Sequence, residues 1–154
     1  MPRHLVDPST PESPVRVATF EELDAHTAYR LWALRSQVFV VEQDCPYLDL
    51  DGRDSEPSAR HLWVEVDGVP VSTLRVLEDG TALRVGRVAT AESARGRGLA
   101  ARLVRAALDL AGERDVVLDA QSHLADWYAG FGFVPDGRGF VEDGIPHTPM
   151  RRRP

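Results

Sequence analysis

The residues of this chain best suited to chemistry are Arg95-Gly96-Arg97-Gly98-Leu99-Ala100. Glycines there let the backbone turn tightly and approach a ligand with no Cβ in the way. Where a helix starts after such a turn, its first N–H groups lack internal partners and point outward at the positive end of the dipole. A turn of such donors, with the charges of Arg95 and Arg97 beside it, suits a phosphate or pyrophosphate. The competing reading is a solvated Gly-Arg connector with no ligand. A third reading extends the segment to Ala101, which formally fits G-x-G-x-x-A, with Asp115 or Asp119 about 20 residues on, as in a dinucleotide-binding fold. Two features oppose it: residues 91–94 separate the glycines from the preceding strand, and the strands before them do not repeat as βαβ units.

Other chemistries are excluded by composition. All 18 basic residues are Arg, and the chain has neither Lys nor Asn, so Schiff-base catalysis, a P-loop lysine and N-glycosylation are ruled out. His61, His123 and His147 do not pair at i, i+4 and no H-E-x-x-H occurs, so no metal site is expected. The one cysteine, Cys45, allows no internal disulfide and has no recognisable base beside it. A net charge of −6 argues against nucleic acid as a partner, and Arg151-Arg152-Arg153 is too short to reverse that. No apolar run approaches the ~20 residues of a membrane span. Residues 1–14 hold four prolines and no apolar signal-peptide stretch. They are expected to be a flexible lead-in, and the protein to be cytoplasmic.

The 154 residues, 43% of them hydrophobic, suffice for one core and one domain, over 15–154. Residues 15–17 alternate as a short strand. Leu31, Leu34, Val38 and Val41 then stack on one face of a helix ending near Gln43, before Pro46. The acidic stretch 44–58 reads as a loop, either solubilising or steering a cationic substrate. Three alternating runs, 61–66, 69–77 and 82–90, are separated by Asp67-Gly68 and Asp79-Gly80, which predicts an antiparallel meander. Leu99, Leu103, Ala106 and Leu110 mark an amphipathic helix that ends near Gly112. Val116-Val117-Leu118 reads as a buried strand, and 126–131 as a short helix closed by Gly132. The Gly/Pro-rich tail, 133–150, is expected to hold two short extended pieces. The class is mixed α/β, with a crossover helix after the meander.

On these elements the chemistry-bearing loop reads R-x-x-G-x-A after a strand, and so resembles the coenzyme A signature of the GNAT superfamily of N-acetyltransferases. A second motif comes after it in the right order: Gln121 stands where an Asn is frequent, and Trp127-Tyr128-Ala129-Gly130-Phe131-Gly132-Phe133 looks like the family's L-Y-x-x-x-G-F. Within the superfamily the chain resembles the ElaA subgroup through four segments. They are 38–47 (VFVVEQDCPY), 49–54 (DLDGRD), 120–124 (AQSHL) and 142–147 (EDGIPH). The resemblance covers residues 15–150.

It implies the GNAT fold, with splayed central strands, and acetyl-CoA as acyl donor without a metal. Transfer would go to a primary amine, of a small molecule or a peptide, by direct attack in a ternary complex. Val88, Ala89 and Thr90 would lend backbone groups to the pantetheine arm, Arg95 to Ala100 would hold the pyrophosphate, and Gln121 would face the same ligand. The resemblance also makes Tyr128 the general acid for the leaving thiolate: its phenol titrates near ~10 against ~8.5 or somewhat above for a thiol. The oxyanion donor would be a backbone N–H at the splayed end of the 85–90 strand. For the base, Glu42 is the residue named; His61, His147 and Glu142 are weaker candidates. A non-catalytic acyl-CoA-binding module on the same fold is the alternative, and it would tolerate loss of Tyr128. Oligomeric state is open, a homodimer included.

Overall fold

The computed structural model describes residues 13–154. Residues 1–12, most of the expected lead-in, lie outside that range. Ser13, the first described residue, is buried, and its carbonyl accepts a hydrogen bond from Arg102.

Strand β1 (Arg16–Ala18) leads to helix α1 (Ala25–Ser36), whose first turn is capped by Asp24 accepting from the Thr27 N–H at 2.7 Å. The meander comes next as β2 (Arg60–Val66), β3 (Val69–Asp79) and β4 (Ala82–Thr90), all antiparallel. Asp67 and Gly68 both take positive φ, as the two-residue hairpin turn demands. Helix α2 (Leu99–Ala111) crosses over to β5 (Val116–Gln121), and a short α3 (Ala125–Ala129) precedes β6 (Val134–Pro135), β7 (Phe140–Glu142) and β8 (Ile145–Arg152). The sheet runs β1-β2-β3-β4-β5-β8-β6, with β7 also on β8. The tail therefore holds more than two short pieces: β8 is eight residues long and pairs with β5 from Val116↔Arg152 to Gln121↔His147.

Strand alternation divides the residues between two layers. Leu62, Val64, Leu74 and Val76 pack with Leu99, Leu103, Val104 and Ala107 of α2 in the main core. Trp63, on the other face of β2, packs with Leu31 of α1. Both expected helix stripes drift at their ends. After Ser36 the chain continues as a π-helical turn, Gln37–Glu42. Its wider period rotates Val41 out to 63% exposure, while Leu31, Leu34 and Val38 stay buried. In α2 the buried stripe is Leu99, Leu103, Val104, Ala107 and Ala111, which leaves Leu110 exposed.

Strand β4 is irregular on both sides. Its parallel pairing with β5 is confined to Leu83↔Val116 and Arg84↔Val117, beyond which the strands part. This is the only parallel pair among the described residues, so the repeated βαβ units of a dinucleotide-binding fold are absent. On its other side Thr73 pairs with Ala89 and Arg75 with Gly86, so Arg87 and Val88 together face Leu74. That is a β-bulge.

The acidic 44–58 stretch corrects an expectation, being neither a solubilising loop nor a free steering surface. Asp49 and Asp54 are buried, at 5% and 7% exposure, and with Asp51 they alternate with three arginines in a closed ring. Arg35 contacts Asp49 at 2.9 Å and Asp54 at 2.7 Å, and Arg75 contacts Asp54 at 3.2 Å and Asp51 at 2.9 Å. Arg87 closes the ring on Asp49 at 2.8 Å and Asp51 at 3.3 Å. Trp32 lies 4.8 Å from the Arg35 guanidinium, and the Tyr47 hydroxyl donates to Asp49 at 2.7 Å. His61, a weak base candidate, is buried here with Nε2 2.9 Å from the Asp54 carbonyl, and it lines no part of the opening between β4 and β5.

The ring sets an acid limit on stability. Burial pushes the Asp51 carboxyl up, but hydrogen bonds from Arg75 and the Arg53 N–H, then the charges of Arg75 and Arg87, outweigh it and hold it at about 2. Asp54 is likewise held low, burial being outweighed by Arg35 and Arg75. Burial holds His61 below its usual range, although the Asp54 carbonyl opposes this. In all three cases the unfolded chain binds protons at higher pH than the folded one, so stability falls on acidification. Urea unfolding should show a first decline as pH drops through about 6.5, from His61, and a steeper one from about 4 towards 2, from the aspartates. Asp51→Asn should flatten the second limb; an unchanged slope would mean the ring does not couple to protons.

Candidate active site

Where β4 and β5 part, a cleft of about 660 Å³ opens. One wall is residues 85–90 of β4. The other is Leu118, Asp119 and Gln121 of β5, with Tyr128 of α3. Glu42, Gln43, Cys45 and Tyr47 close it from the α1 side, and Glu142, Asp143, Ile145 and His147 from the β7–β8 turn.

At its mouth stands the glycine-rich turn. Gly96 and Gly98 adopt φ of 78° and 74°, and Gly98 is the N-cap of α2. A Cβ at either would meet nothing within 4 Å, so the left-handed backbone, not crowding, selects glycine. No side chain caps this end and no acidic residue occupies the first turn, so the first N–H groups of α2 are left for a ligand. Leu99 is buried in the core and anchors the helix start, whereas Gly96, Arg97 and Gly98 are exposed. Arg97 donates to the Ser93 carbonyl at 3.2 Å. Arg95 turns the other way: it donates to the Thr90 carbonyl at 3.1 Å and pairs with Glu42 at 2.5 Å.

Glu42, Val88, Ala89, Thr90, Arg95, Gln121 and Tyr128, all singled out in the sequence, line the one cleft, with residues 96–100 just outside it. Tyr128 is 6% exposed and meets Trp127 and Phe133 edge to face at 4.9 and 6.0 Å. Burial pushes its phenol up to about 12. Among the described residues nothing hydrogen-bonds its hydroxyl. Gln121 exchanges two amide hydrogen bonds with Gln43 across the cleft, each at 3.3 Å. Sequence reasoning missed Gln43 as a site residue, although it lies inside the 38–47 segment that carries the resemblance.

His147 lies opposite Gln121 in the β5–β8 register and stacks on Phe140 at 5.4 Å. Its Nδ1 is 2.8 Å from the Ile145 carbonyl. A carbonyl only accepts, so Nδ1 carries a proton, and in the neutral ring Nε2 is the nitrogen able to accept one. Cys45 is buried and donates to the Asp143 carbonyl at 3.4 Å; burial first, then Asp143 and Asp44, pushes its thiol up, away from nucleophilic use. The cleft arginines 53, 75, 84, 87 and 95 are all ion-paired, whereas Glu142 and Asp143 form no ion pair among the described residues. The uncompensated charge of the cleft is therefore negative and sits at the β7–β8 turn.

Comparison with known proteins agrees with this geometry. A family model described as "Acetyltransferase (GNAT) domain" matches residues 21–154. A UPF0039 protein of Mycobacterium tuberculosis is 47% identical over 137 residues, covering 86% of this chain and 88% of its own. Escherichia coli "Protein ElaA" is 38% identical over 138 residues, covering 85% and 90%. The crystal structure of Escherichia coli ElaA superposes with a TM-score of 0.86 at 34% identity, over 92% of this chain and 99% of that one. That of an acyl-CoA N-acyltransferase from Pseudomonas aeruginosa does so with a TM-score of 0.87 at 37% identity, over 91% and 99%. No described helix is long and apolar enough to cross a membrane.

Proposed function

The chain belongs to the GNAT acetyltransferase family, and from that premise we propose that it is a cytoplasmic N-acetyltransferase moving an acetyl group from acetyl-CoA to a primary amine. The observation that carries this is the cleft between the parted strands, with the unpartnered Tyr128 hydroxyl inside it and the uncapped N-terminus of α2 at its mouth. The residues fit the donor. Backbone N–H groups of 96–100 and the Arg97 guanidinium suit a pyrophosphate, and the free edge of β4 at Val88, Ala89 and Thr90 suits an amide-bearing arm. Acetyl-CoA supplies the acyl thioester.

The remaining chemistry falls to this chain's own groups. Backbone donors at the β4 bulge face the negative charge that grows on the acyl oxygen. Tyr128 returns a proton to the departing thiolate. The unpaired carboxylates of Glu142 and Asp143 attract a cationic amine, of a small molecule or a peptide, to the opposite end. The amine must shed a proton before it attacks. Glu42 is engaged by Arg95, so we assign that step to His147, whose neutral ring, with Nδ1–H held by the Ile145 carbonyl, would accept at Nε2, with Glu42 as the alternative acceptor.

Acetyl-CoA and CoA should raise the melting temperature by mass action, and NAD or NADP at equal concentration should do so much less. Gly98→Asp places a carboxylate at the uncapped N-terminus and a Cβ on a left-handed backbone. Calorimetry should show acetyl-CoA affinity at least ~10-fold weaker, about 1.4 kcal/mol, with the fold retained. Unchanged affinity would make the turn a connector only.

Tyr128→Phe separates an enzyme from a non-catalytic acyl-CoA-binding module, because it keeps the ring packing and removes only the hydroxyl. With an acceptor found by screening amines for CoA release, single-turnover rates should fall roughly 10²-fold while acetyl-CoA binding changes little. A wild-type rate in the Phe variant would reduce Tyr128 to a packing residue.

A further inference from the structure

Arg87 is where the buried ring meets the cleft: its side chain closes the ring, and its backbone forms part of the cleft wall. It has a φ of +52°, a conformation that residues with a Cβ avoid. Among the described residues the other non-glycine positions with positive φ are Asp44, Asp67 and Asp143. Aspartate tolerates that region through local hydrogen bonds of its short side chain. Arginine has no such means. A glycine would adopt the conformation freely, yet the chain's glycine stands one residue earlier, at Gly86, outside that region.

What holds Arg87 there is its grip on the 44–58 loop. Its Nε lies 2.8 Å from Asp49 Oδ1, and its Nη2 donates to the Asp49 carbonyl at 3.1 Å and to Asp51 Oδ2 at 3.3 Å. Tyr47 braces the arrangement, with its ring 5.6 Å from the guanidinium and its hydroxyl on Asp49. Arg87 and Val88 are the bulged pair that drops out of register opposite Leu74, at the point where β4 has already left β5. Backbone groups of a bulge are released from the ladder.

We propose that Asp49 and Asp51 are positioning residues. By gripping Arg87 they hold β4 in the left-handed bulge that turns its backbone donors toward the acyl end of the cleft. Neither aspartate lines the cleft, so their effect on reaction passes entirely through Arg87. The kinetic consequence rests on the acetyl-transfer reading, whereas the conformational claim does not.

Replacing Arg87 still leaves every aspartate an arginine: Asp49 keeps Arg35, Asp51 keeps Arg75, and Asp54 keeps both. Arg87→Ala loses the grip and has no means of holding a positive φ; Arg87→Gly loses the grip and needs none. In NMR spectra of the full chain, the strong intraresidue amide–Hα cross-peak of a positive φ should be present at residue 87 in wild type and lost in Arg87→Ala; in Arg87→Gly either of the two Hα atoms can give it, so that variant is read by turnover. The turnover number should fall roughly 10-fold or more in Arg87→Ala, as misplacement of a positioned group does, and recover to within about 3-fold of wild type in Arg87→Gly. CoA affinity should change little in either.

Asp51→Asn, in the least buried aspartate of the ring, gives a second arm should Arg87→Ala fail to fold. It should weaken the cross-peak at residue 87 and slow turnover in the wild-type background, and have no further effect on turnover in Arg87→Gly. Alanine and glycine variants that behave alike, both impaired or both normal, would overturn the proposal. So would a positive φ that survives in both Arg87→Ala and Asp51→Asn. Wild-type protein that transfers no acetyl group would overturn the functional reading, and the cross-peaks would still decide this one.

Discussion

A buried guanidinium cannot be left alone, and much of this structure depends on that. Arg35 is 1% exposed on the inner face of α1, and the cost of removing such a charge from water runs to several kcal/mol unless partners surround it. Asp49 and Asp54 supply them, and each then requires its own second partner. The requirement passes to Arg75 on β3 and Arg87 on β4 until the ring closes at three of each sign. A stretch with no regular secondary structure is thereby tied to one helix and two strands. Hydrophobic contact could bring the same elements together, but it is non-directional. Directional hydrogen bonds, such as those from Arg35 and from Arg87 Nη2, specify where the loop sits and which way Arg87 points.

The two ends of the cleft depend on different physics. At the mouth, selection acts on backbone alone: Gly96 and Gly98 are needed for their φ, and the N-terminus of α2 is left bare for a ligand to complete. At the reacting end, backbone geometry is imposed by side chains remote from it, through Arg87. Tyr128 belongs to neither. It is set by aromatic packing with Trp127 and Phe133, so the phenol is placed by the main core and not by the ring.

Much of this was legible in the sequence. The Asp-Gly pairs announced the meander because the two-residue turn admits few residue types. The glycine loop announced itself by its place between a strand and a helix. Val41 and Leu110 were misplaced because a 3.6-residue period was carried through a π-helical turn in one case and tied to the wrong stripe in the other. The ring was invisible. Its partners lie up to 38 residues apart, and an acidic loop has the same composition whether it is solvated or threaded by arginines. Arg87 carries no local signal either, since a left-handed arginine is a consequence of tertiary contacts. The same separation hid the engagement of Glu42 by Arg95, 53 residues away.

Burial of Tyr128 at first works against an acid. With its phenol pushed up to about 12, handing a proton to a thiolate whose acid titrates near ~8.5 in water runs uphill. The thiolate, however, would form beside this buried phenol, and burial disfavours every anion there. The leaving sulfur is raised along with the phenol, and the gap between them narrows. A raised phenol has a further consequence: it stays protonated across neutral pH, so in the proposed transfer Tyr128 would hold the proton it is to give and would not compete with His147 as a base.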